Sequence, residues 1–199
     1  NDGARTGSDD KRIKNNIEMQ VETANAAWKI IWDNYQKHEI PMWRMFVCNS
    51  TTALFIRYTE GMHYGWHCDS PFMAGGVRSD FSTTVFLNDP SEYEGGELVL
   101  QYGTETVEVK LPAGWAFSYP TGTKHMVREV TSGVRDVAVF WSKSMFKCQE
   151  DRRIATYNYE IKQELTKLYP NAEDPDDDHY GITRGLDEQL NSLMRSKAY

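Results

Sequence analysis

The sequence predicts a mainly β fold with flanking helices, namely a double-stranded β-helix, or jelly roll, of about eight antiparallel strands. Three observations predict it. Short runs of β-branched and aromatic residues alternate with turn residues throughout residues 52–143. No helical pattern interrupts those runs, as it would in a parallel sheet built from βαβ units. Apolar residues recur at helical spacing before and after this region.

The first predicted element is a helix over residues 18–37, which follows a polar and irregular segment. Its apolar residues recur at helical spacing: Val21, Ala24, Trp28, Ile31 and Tyr35. Pro41 lies beyond its end, as is common after a helix. We expect this helix to pack on the outside of a sheet.

Eight strands are predicted next, and turn residues separate several of them. Clusters of Gly, Pro, Asn and Asp mark turns at residues 88–90, 94–96, 112–114 and 132–133. The predicted strands cover residues 53–58, 65–69, 81–87, 96–101, 106–111, 115–119, 125–130 and 134–141.

Helical spacing returns after the strands, in a helix at 149–168 and a shorter one at 186–196. The apolar stripe of the longer helix consists of Ile154, Tyr157, Ile161, Leu165 and Leu168. The acidic run at 173–178 is expected to be a solvated loop, because it lacks the glycine and the downstream glutamate of an EF-hand loop. We therefore expect residues 1–148 to form the jelly-roll core with the N-terminal helix, and residues 149–199 a helical extension with the acidic loop.

Charge and cysteine content argue against several classes of protein. A net charge of −7 disfavours nonspecific nucleic-acid binding, which relies on a basic surface. No window has the apolar length of a transmembrane helix and no signal peptide is visible, so no membrane partner is expected. The three cysteines lack CxxC spacing, and their odd number argues against a disulfide framework. A reducing cytoplasm is the expected location.

Two histidines and an aspartate have the pattern of a metal site. His67 and Asp69 are two residues apart, so on extended backbone their side chains point to the same face. His125 lies on a later predicted strand, which the return paths of a jelly roll can bring beside His67. Two imidazoles and one carboxylate on one face of an octahedron leave three open positions, the arrangement of non-haem Fe(II) oxygenases. The motif predicts a catalytic Fe(II) site at which 2-oxoglutarate takes two positions and O2 the third.

Arg135 suits the far carboxylate of 2-oxoglutarate. It lies ten residues after His125, on the next predicted strand. A guanidinium binds a carboxylate through two parallel hydrogen bonds and never loses its charge. The formal charges of Fe(II), Asp69, 2-oxoglutarate and Arg135 cancel, and a buried site should be near neutral because an uncompensated buried charge costs several kcal/mol.

Several separate segments are similar to those of one family, and the resemblance extends over most of the chain, from about residue 2 to 165. The segments are residues 14–16, 57–69, 84–90, 93–98, 109–114, 119–120 and 140–145. These segments resemble the PKHD-type hydroxylases, which belong to the prolyl 4-hydroxylase branch of the Fe(II)/2-oxoglutarate-dependent dioxygenases.

The resemblance implies roles for seven residues. It implies iron ligation by His67, Asp69 and His125, and 2-oxoglutarate binding by Arg135 and Tyr58. It implies two aromatic residues lining the cavity near the substrate, Tyr64 and Trp141. The implied reaction hydroxylates a side chain, either of a peptide, with proline as the first candidate, or of an amino acid. It releases succinate and CO2, and ascorbate is an implied cofactor.

The residue near Val85 and the acidic loop at 173–178 depart from the family pattern, and three other functions compete with the hydroxylase. Some relatives carry a tyrosine near Val85, where a hydroxyl of Ser82, Thr83 or Thr84 is the expected replacement. An AlkB-like nucleic-acid demethylase is disfavoured by the acidic charge and by the lack of a second arginine six residues after Arg135. A noncatalytic iron or 2-oxoglutarate sensor would bind a partner through the helices and the acidic loop. A zinc hydrolase can also use two histidines and an aspartate, but it would not need the arginine.

Overall fold

The structure, a computed structural model, describes residues 13–19 and 21–197. In chain order the strands are β1 (Lys14–Asn15), β2 (Ile17–Glu18), β3 (Val47–Ser50), β4 (Leu54–Thr59), β5 (His63–His67), β6 (Phe72–Met73), β7 (Val77–Arg78), β8 (Phe81–Phe86), β9 (Tyr93–Gly95), β10 (Leu98–Tyr102), β11 (Glu105–Val109), β12 (Ala116–Pro120), β13 (His125–Val127) and β14 (Val130–Ser144). The helices are α1 (Val21–Tyr35), α2 (Gln149–Leu168) and α3 (Tyr180–Lys197), with short helical turns at Ile40–Arg44, Ala74–Gly76 and Pro90–Glu92.

Apart from a small sheet of β6 and β7, the described strands form two antiparallel sheets. One has the strand order β1-β5-β13-β10-β11, and the other has the order β12-β8-β14-β4-β2, with β3 and β9 also paired to β14. Each of the eight predicted strands corresponds to an observed strand, and the described residues form six further strands of two to four residues outside them. The predicted jelly roll with flanking helices is confirmed.

Several predicted strand boundaries are wrong by a few residues, and two of these differences change the structural context of a residue. β5 ends at His67, so Asp69 lies in the irregular segment that follows the strand and not on the strand itself. The predicted turn at 132–133 lies inside β14. Gly133 there has a φ of +79°, and a Cβ on it would be 2.2 Å from the carbonyl oxygen of Glu92. The glycine therefore permits the close approach of β9 to β14, which their pairing requires.

The apolar core lies between the two sheets. The seven-stranded sheet contributes Ile56, Tyr58, Phe86, Tyr119 and Val137, and the five-stranded sheet contributes Leu98, Leu100, Val109 and Val127. Each such side chain, once buried, contributes about 1.5–3 kcal/mol through the hydrophobic effect. Alternate residues of the strands supply these side chains, because successive side chains of a strand point to opposite faces.

α1 covers the outer face of the seven-stranded sheet, as predicted. The ring centroids of Trp28 and Trp32 lie 4.9 Å and 6.2 Å from that of Phe140, which is fully buried on β14. Val139 and Trp141, the neighbours of Phe140, face the opposite side of the strand and line an internal cavity. The helix begins at Val21, whereas the prediction began it at residue 18.

The chain divides into two compact units. The first comprises the residues up to Trp32 together with Asn49–Lys143, and the second comprises Asp33–Cys48 and the residues from Ser144 onward. The predicted division into a jelly-roll core at residues 1–148 and a helical extension at residues 149–199 stays a prediction.

In the second unit, α2 and α3 pack on a small apolar cluster. Phe46, Phe146 and Ala155 are buried there, and Leu190, Leu193 and Met194 of α3 pack against them. α2 has the predicted bounds, and α3 begins at Tyr180, six residues before the predicted start. The predicted stripe of α2 is largely exposed, with Ile154 at 49% and Leu168 at 69%. None of the described helices has the length and apolar character that crossing a bilayer requires.

Candidate metal centre and adjoining cavity

Two adjacent strands of the five-stranded sheet bring the two predicted histidine ligands together. β5 and β13 are antiparallel neighbours, and their register sets His125 opposite His67. Their ring centroids are 4.2 Å apart. The Nδ1 atoms donate to the carbonyl oxygens of Gly65 and Thr123, at 2.8 Å and 2.9 Å. Each Nε2 is thereby left with its lone pair, the form in which a histidine binds a metal.

Asp69 completes the cluster from the segment that follows β5. Its Oδ1 lies 3.6 Å from Nε2 of His67, and its Oδ2 lies 3.7 Å from Nε2 of His125. The three potential ligand atoms all lie within 4.8 Å of one another. Two imidazole nitrogens and one carboxylate oxygen at these separations fit a single divalent iron ion.

Two donors from the seven-stranded sheet hold the Asp69 carboxylate. The Ser82 hydroxyl donates to Oδ2 at 2.7 Å, and the Trp141 indole N–H donates to the same oxygen at 2.8 Å. Burial opposes ionisation of this carboxyl, but its hydrogen bonds and the adjacent histidines outweigh burial and lower the pKa of Asp69. Burial also lowers the pKa of His125, which keeps its imidazole neutral. Both groups are therefore in the form that ligates a metal.

Arg135 lines the same cavity as the three ligand side chains and is 1% exposed. Its Nε and Nη1 have no hydrogen-bond partner among the described residues. Its guanidinium carbon lies 5.1 Å from the ring centroid of Tyr58 and 5.7 Å from that of Phe86. Gly96 makes room for it, because a Cβ there would lie 2.9 Å from Cδ of Arg135. Burial of an unpaired charge is costly, so this cationic site suits an anionic ligand.

The aromatic residues implied by the resemblance also line the cavity. Tyr64 stacks on the imidazole of His67 with a centroid separation of 3.6 Å. Tyr58 is buried beside Arg135, and its hydroxyl accepts a hydrogen bond from Nδ2 of Asn16 at 3.0 Å. Burial raises the pKa of Tyr58, so this hydroxyl stays protonated at neutral pH and keeps a proton to donate. Trp141 lines the cavity with its ring while its N–H contacts Asp69.

Of the three hydroxyls expected to replace the tyrosine near Val85, two have other partners. Ser82 donates to Asp69, and Thr83 shares a 2.9 Å hydrogen bond with Ser118. Thr84 is the one of the three that lines the cavity with Arg135. Tyr119 of β12 lines it as well, with its ring centroid 5.0 Å from that of His125. Burial raises the pKa of Tyr119 well above its ordinary value, so it too remains a hydroxyl donor.

Several residues of the cavity were not predicted from the sequence. Lys14 lines it, and Asn16 contacts Tyr58. The segment that contains them is similar to one in the family, but the resemblance implied no role for it. Tyr119 lies in another similar segment, and Gly96 was expected to serve a turn alone. Only tertiary contacts reveal what these positions do.

The sequence profile described as the 2OG-Fe(II) oxygenase superfamily matches residues 53–143. The chain is 37% identical over 194 residues to a PKHD-type hydroxylase from Thioalkalivibrio sulfidiphilus, which covers 95% of this chain and 83% of that relative. It is 50% identical over 103 residues to a PKHD-type hydroxylase from Picosynechococcus sp., which covers 52% of this chain and 47% of the relative. The chain thus spans about half the length of that relative and of two others.

Two solved structures are similar in fold. One is a prolyl hydroxylase from Trichoplax adhaerens in complex with a peptide fragment of the hypoxia inducible factor oxygen degradation domain. Its TM-score is 0.54 at 15% identity, and the match covers 77% of this chain and 71% of that one. The other is a prolyl-4-hydroxylase from Pseudomonas putida, with a TM-score of 0.50 and 17% identity, covering 67% of this chain and 74% of that one. At these identities the likeness concerns the fold alone.

Proposed function

Because the chain belongs to the PKHD-type hydroxylases, a family within the 2OG-Fe(II) oxygenase superfamily, we propose that it is an Fe(II)- and 2-oxoglutarate-dependent dioxygenase. It converts 2-oxoglutarate and O2 into succinate and CO2 while it hydroxylates a prolyl or another amino-acid side chain of a peptide. One observation carries this proposal. A buried guanidinium with unpaired N–H groups, that of Arg135, lines the same cavity as three converging metal-ligand side chains.

Three side chains hold the iron. His67 and His125 bind it through Nε2, the atoms left unprotonated by the hydrogen bonds of Nδ1. Asp69 binds it through Oδ1, because Oδ2 already accepts two hydrogen bonds. When bound there, Fe(II) supplies the activation of O2 that couples decarboxylation of 2-oxoglutarate to oxidation of a C–H bond. The three protein ligands leave the remaining positions open for that chemistry.

Arg135 and Tyr58 bind 2-oxoglutarate. The two unpaired nitrogens of Arg135 can each donate to a carboxylate oxygen, and such charge-assisted pairs are among the strongest hydrogen bonds in proteins. The Tyr58 hydroxyl, which accepts from Asn16, has its proton available for the cofactor. With iron and 2-oxoglutarate bound, the charges of Asp69 and Arg135 make the site neutral overall.

The substrate approaches on the side of Tyr64 and Trp141. Tyr64 covers one face of His67, and the Trp141 ring lines the cavity beside Asp69. These rings exclude water from the reacting positions and offer an apolar surface to a side chain such as proline. A peptide substrate is further supported by the similar Trichoplax hydroxylase, whose structure contains a peptide.

Succinate production tests the proposal. Protein loaded with Fe(II) without oxygen is given 2-oxoglutarate and O2, with proline-rich peptides or with matched peptides in which alanine replaces proline. We expect succinate that depends on both iron and 2-oxoglutarate and that rises with the proline peptides. Ascorbate, added in a parallel series, is expected to prolong turnover.

Two results would count against the enzyme. Tight binding of iron and 2-oxoglutarate without succinate across a broad peptide library would favour the noncatalytic sensor. Absence of metal-dependent 2-oxoglutarate binding would exclude both the enzyme and the sensor.

A reducing cytoplasm remains the proposed location, since the exposed residues Cys48, Cys68 and Cys148 form no disulfide in the structure.

A further inference from the structure

The described N-terminal segment, residues 13–19, crosses from one sheet to the other, and we call it the strap. Its first part, β1, pairs with β5, with Lys14 opposite Tyr64. Its second part, β2, pairs with β4, with Ile17 opposite Arg57. β5 carries a proposed iron ligand, and β4 carries Tyr58. The strap thus connects the strand of the metal centre with a strand of the cofactor site.

The burial pattern of the strap is the reverse of that expected for a strand on an apolar core. Its polar side chains are inside, with Lys14 at 2%, Asn16 at 1% and Glu18 at 8% exposed. Its apolar side chains Ile13 and Ile17 are outside, at 43% and 40% exposed. Burying polar groups costs free energy unless they form hydrogen bonds. The burial of these polar side chains therefore indicates a functional role beyond packing.

Lys14 and Glu18 account for one part of this polar face. The ammonium of Lys14 contacts Oε1 of Glu18 at 2.9 Å, so the pair adds no net charge to the cavity. The same ammonium lies 5.3 Å from the ring centroid of Tyr64. The electrostatic balance of the proposed iron site is therefore unaffected by these two residues.

Asn16 accounts for the other part. Its Nδ2 donates to the Tyr58 hydroxyl at 3.0 Å, while its Oδ1 has no hydrogen-bond partner among the described residues. The Asn16 amide thus donates to the Tyr58 hydroxyl although its own carbonyl oxygen accepts no hydrogen bond from a described residue. A hydroxyl that accepts from one side has its own proton directed elsewhere. Beside Tyr58 lies the guanidinium of Arg135, where a carboxylate would be held.

We propose that Asn16 is a positioning residue for 2-oxoglutarate: it donates to the Tyr58 hydroxyl and so directs the proton of that hydroxyl to the carboxylate at Arg135. This inference rests on the proposed function, because it takes 2-oxoglutarate as the occupant of the cavity. It gives the strap a role in cofactor affinity without a contact to the cofactor itself.

Calorimetric titration of 2-oxoglutarate into the Mn(II)-loaded full chain tests the proposal without turnover. Asn16→Ala should raise the Kd for 2-oxoglutarate about tenfold, the usual effect of weakening one hydrogen bond to a charged group. Asn16→Asp should raise it further, because a carboxylate there accepts the Tyr58 proton and withdraws it from the cofactor. Asn15→Ala, in the adjacent and less buried residue, is the matched control and should leave the Kd unchanged.

A double-mutant cycle separates positioning from a purely structural role. In a Tyr58→Phe background, Asn16→Ala should have no further effect on the Kd for 2-oxoglutarate, and the Kd for Mn(II) should stay constant throughout. An unchanged Kd in Asn16→Ala, tolerance of Asn16→Asp, or the same loss with and without the Tyr58 hydroxyl would overturn the proposal. If the wild-type protein does not bind 2-oxoglutarate, the proposed function itself fails.

Discussion

The two ends of the cavity differ in how their polar groups are satisfied. At the metal end, hydrogen bonds within the protein already hold each ligand: the two histidines through backbone carbonyls, and Asp69 through Ser82 and Trp141. At the other end, two nitrogens of the buried Arg135 have no partner among the described residues. The metal end is therefore preorganised by the fold, whereas the Arg135 end is completed by its ligand.

Removal of one ligand at the metal end should have the largest effect. We expect His67→Ala to lose Mn(II) and Fe(II) binding and, with it, succinate formation, because two protein ligands cannot hold the ion as three do. Calorimetric titration with the metal measures this directly. His38→Ala, which changes an exposed histidine, is the control and should bind metal normally. If His67→Ala bound the metal as tightly as the wild-type protein, His67 would not be a metal ligand.

Substitution of the arginine tests the other half of the comparison. Arg135→Met keeps the volume and removes the charge, so the Kd for 2-oxoglutarate should rise on the order of a hundredfold. In the ligand-free protein the same change should increase the free energy of unfolding, by about 1–4 kcal/mol, since it removes an unpaired buried charge.

Thermal denaturation with and without 2-oxoglutarate measures both effects of Arg135→Met. The matched control is Arg128→Met, which removes an exposed arginine paired with Glu108 and should change neither quantity. A lower Tm of Arg135→Met in the absence of ligand would show that this end of the cavity is not destabilised by its charge.

Trp141→Phe tests whether the hydrogen bonds to Asp69 contribute to metal binding at the metal end of the cavity. It keeps an aromatic ring in the cavity but removes one of the two donors to Asp69. We expect the Kd for the metal to rise about tenfold, the lower end of what outer-shell partners contribute, with a smaller change for 2-oxoglutarate. Trp66→Phe, in an exposed tryptophan next to His67, is the control. Equal loss of metal and 2-oxoglutarate affinity would argue for a general packing role instead.

The smallest effect concerns pH. Burial lowers the pKa of His125 below its ordinary value of 6.5, so the folded metal-free protein binds its proton less readily than the unfolded chain. That contribution to stability is complete above about pH 6.5 and decreases as the pH falls toward the folded-state pKa, by at most about 1.4 kcal/mol per pH unit. The pKa of Asp69 is also lowered, but it affects stability only near and below pH 3.8.

Denaturation of metal-free protein between pH 7 and pH 5 measures the pH effect. Wild type should lose stability over this range more steeply than His125→Asn, in which the group is absent. Parallel curves for the two proteins would rule out this contribution of His125.

Local patterns in the sequence predicted most of the fold and the cluster of ligand residues. The alternation of apolar and turn residues indicated eight of the described strands, and the jelly roll then brought His125 beside His67. Helical periodicity gave the bounds of α2 but not its buried face: Ala155 is buried, whereas Ile154 is half exposed. Periodicity shows that a helix is amphipathic and does not show what it packs against.

Features that depend on tertiary contacts could not be predicted from such patterns. The position of Asp69 beyond the end of β5 is set by donors from β8 and β14, far away in the sequence. The strap consists of two strands of two residues each, too short for any pattern to reveal. Gly96 appeared to serve a turn, yet its lack of a side chain leaves the space that the Arg135 side chain occupies.

The hydrogen bond between Trp141 and Asp69 also has an optical consequence. It holds an indole ring 2.8 Å from the carboxylate that is to bind a paramagnetic ion. The excited state of that indole should therefore be quenched when Mn(II) or Fe(II) binds, while more distant tryptophans are affected less. The difference in emission between the wild-type protein and Trp141→Phe would then follow the arrival of the metal in real time, with no label added to the chain.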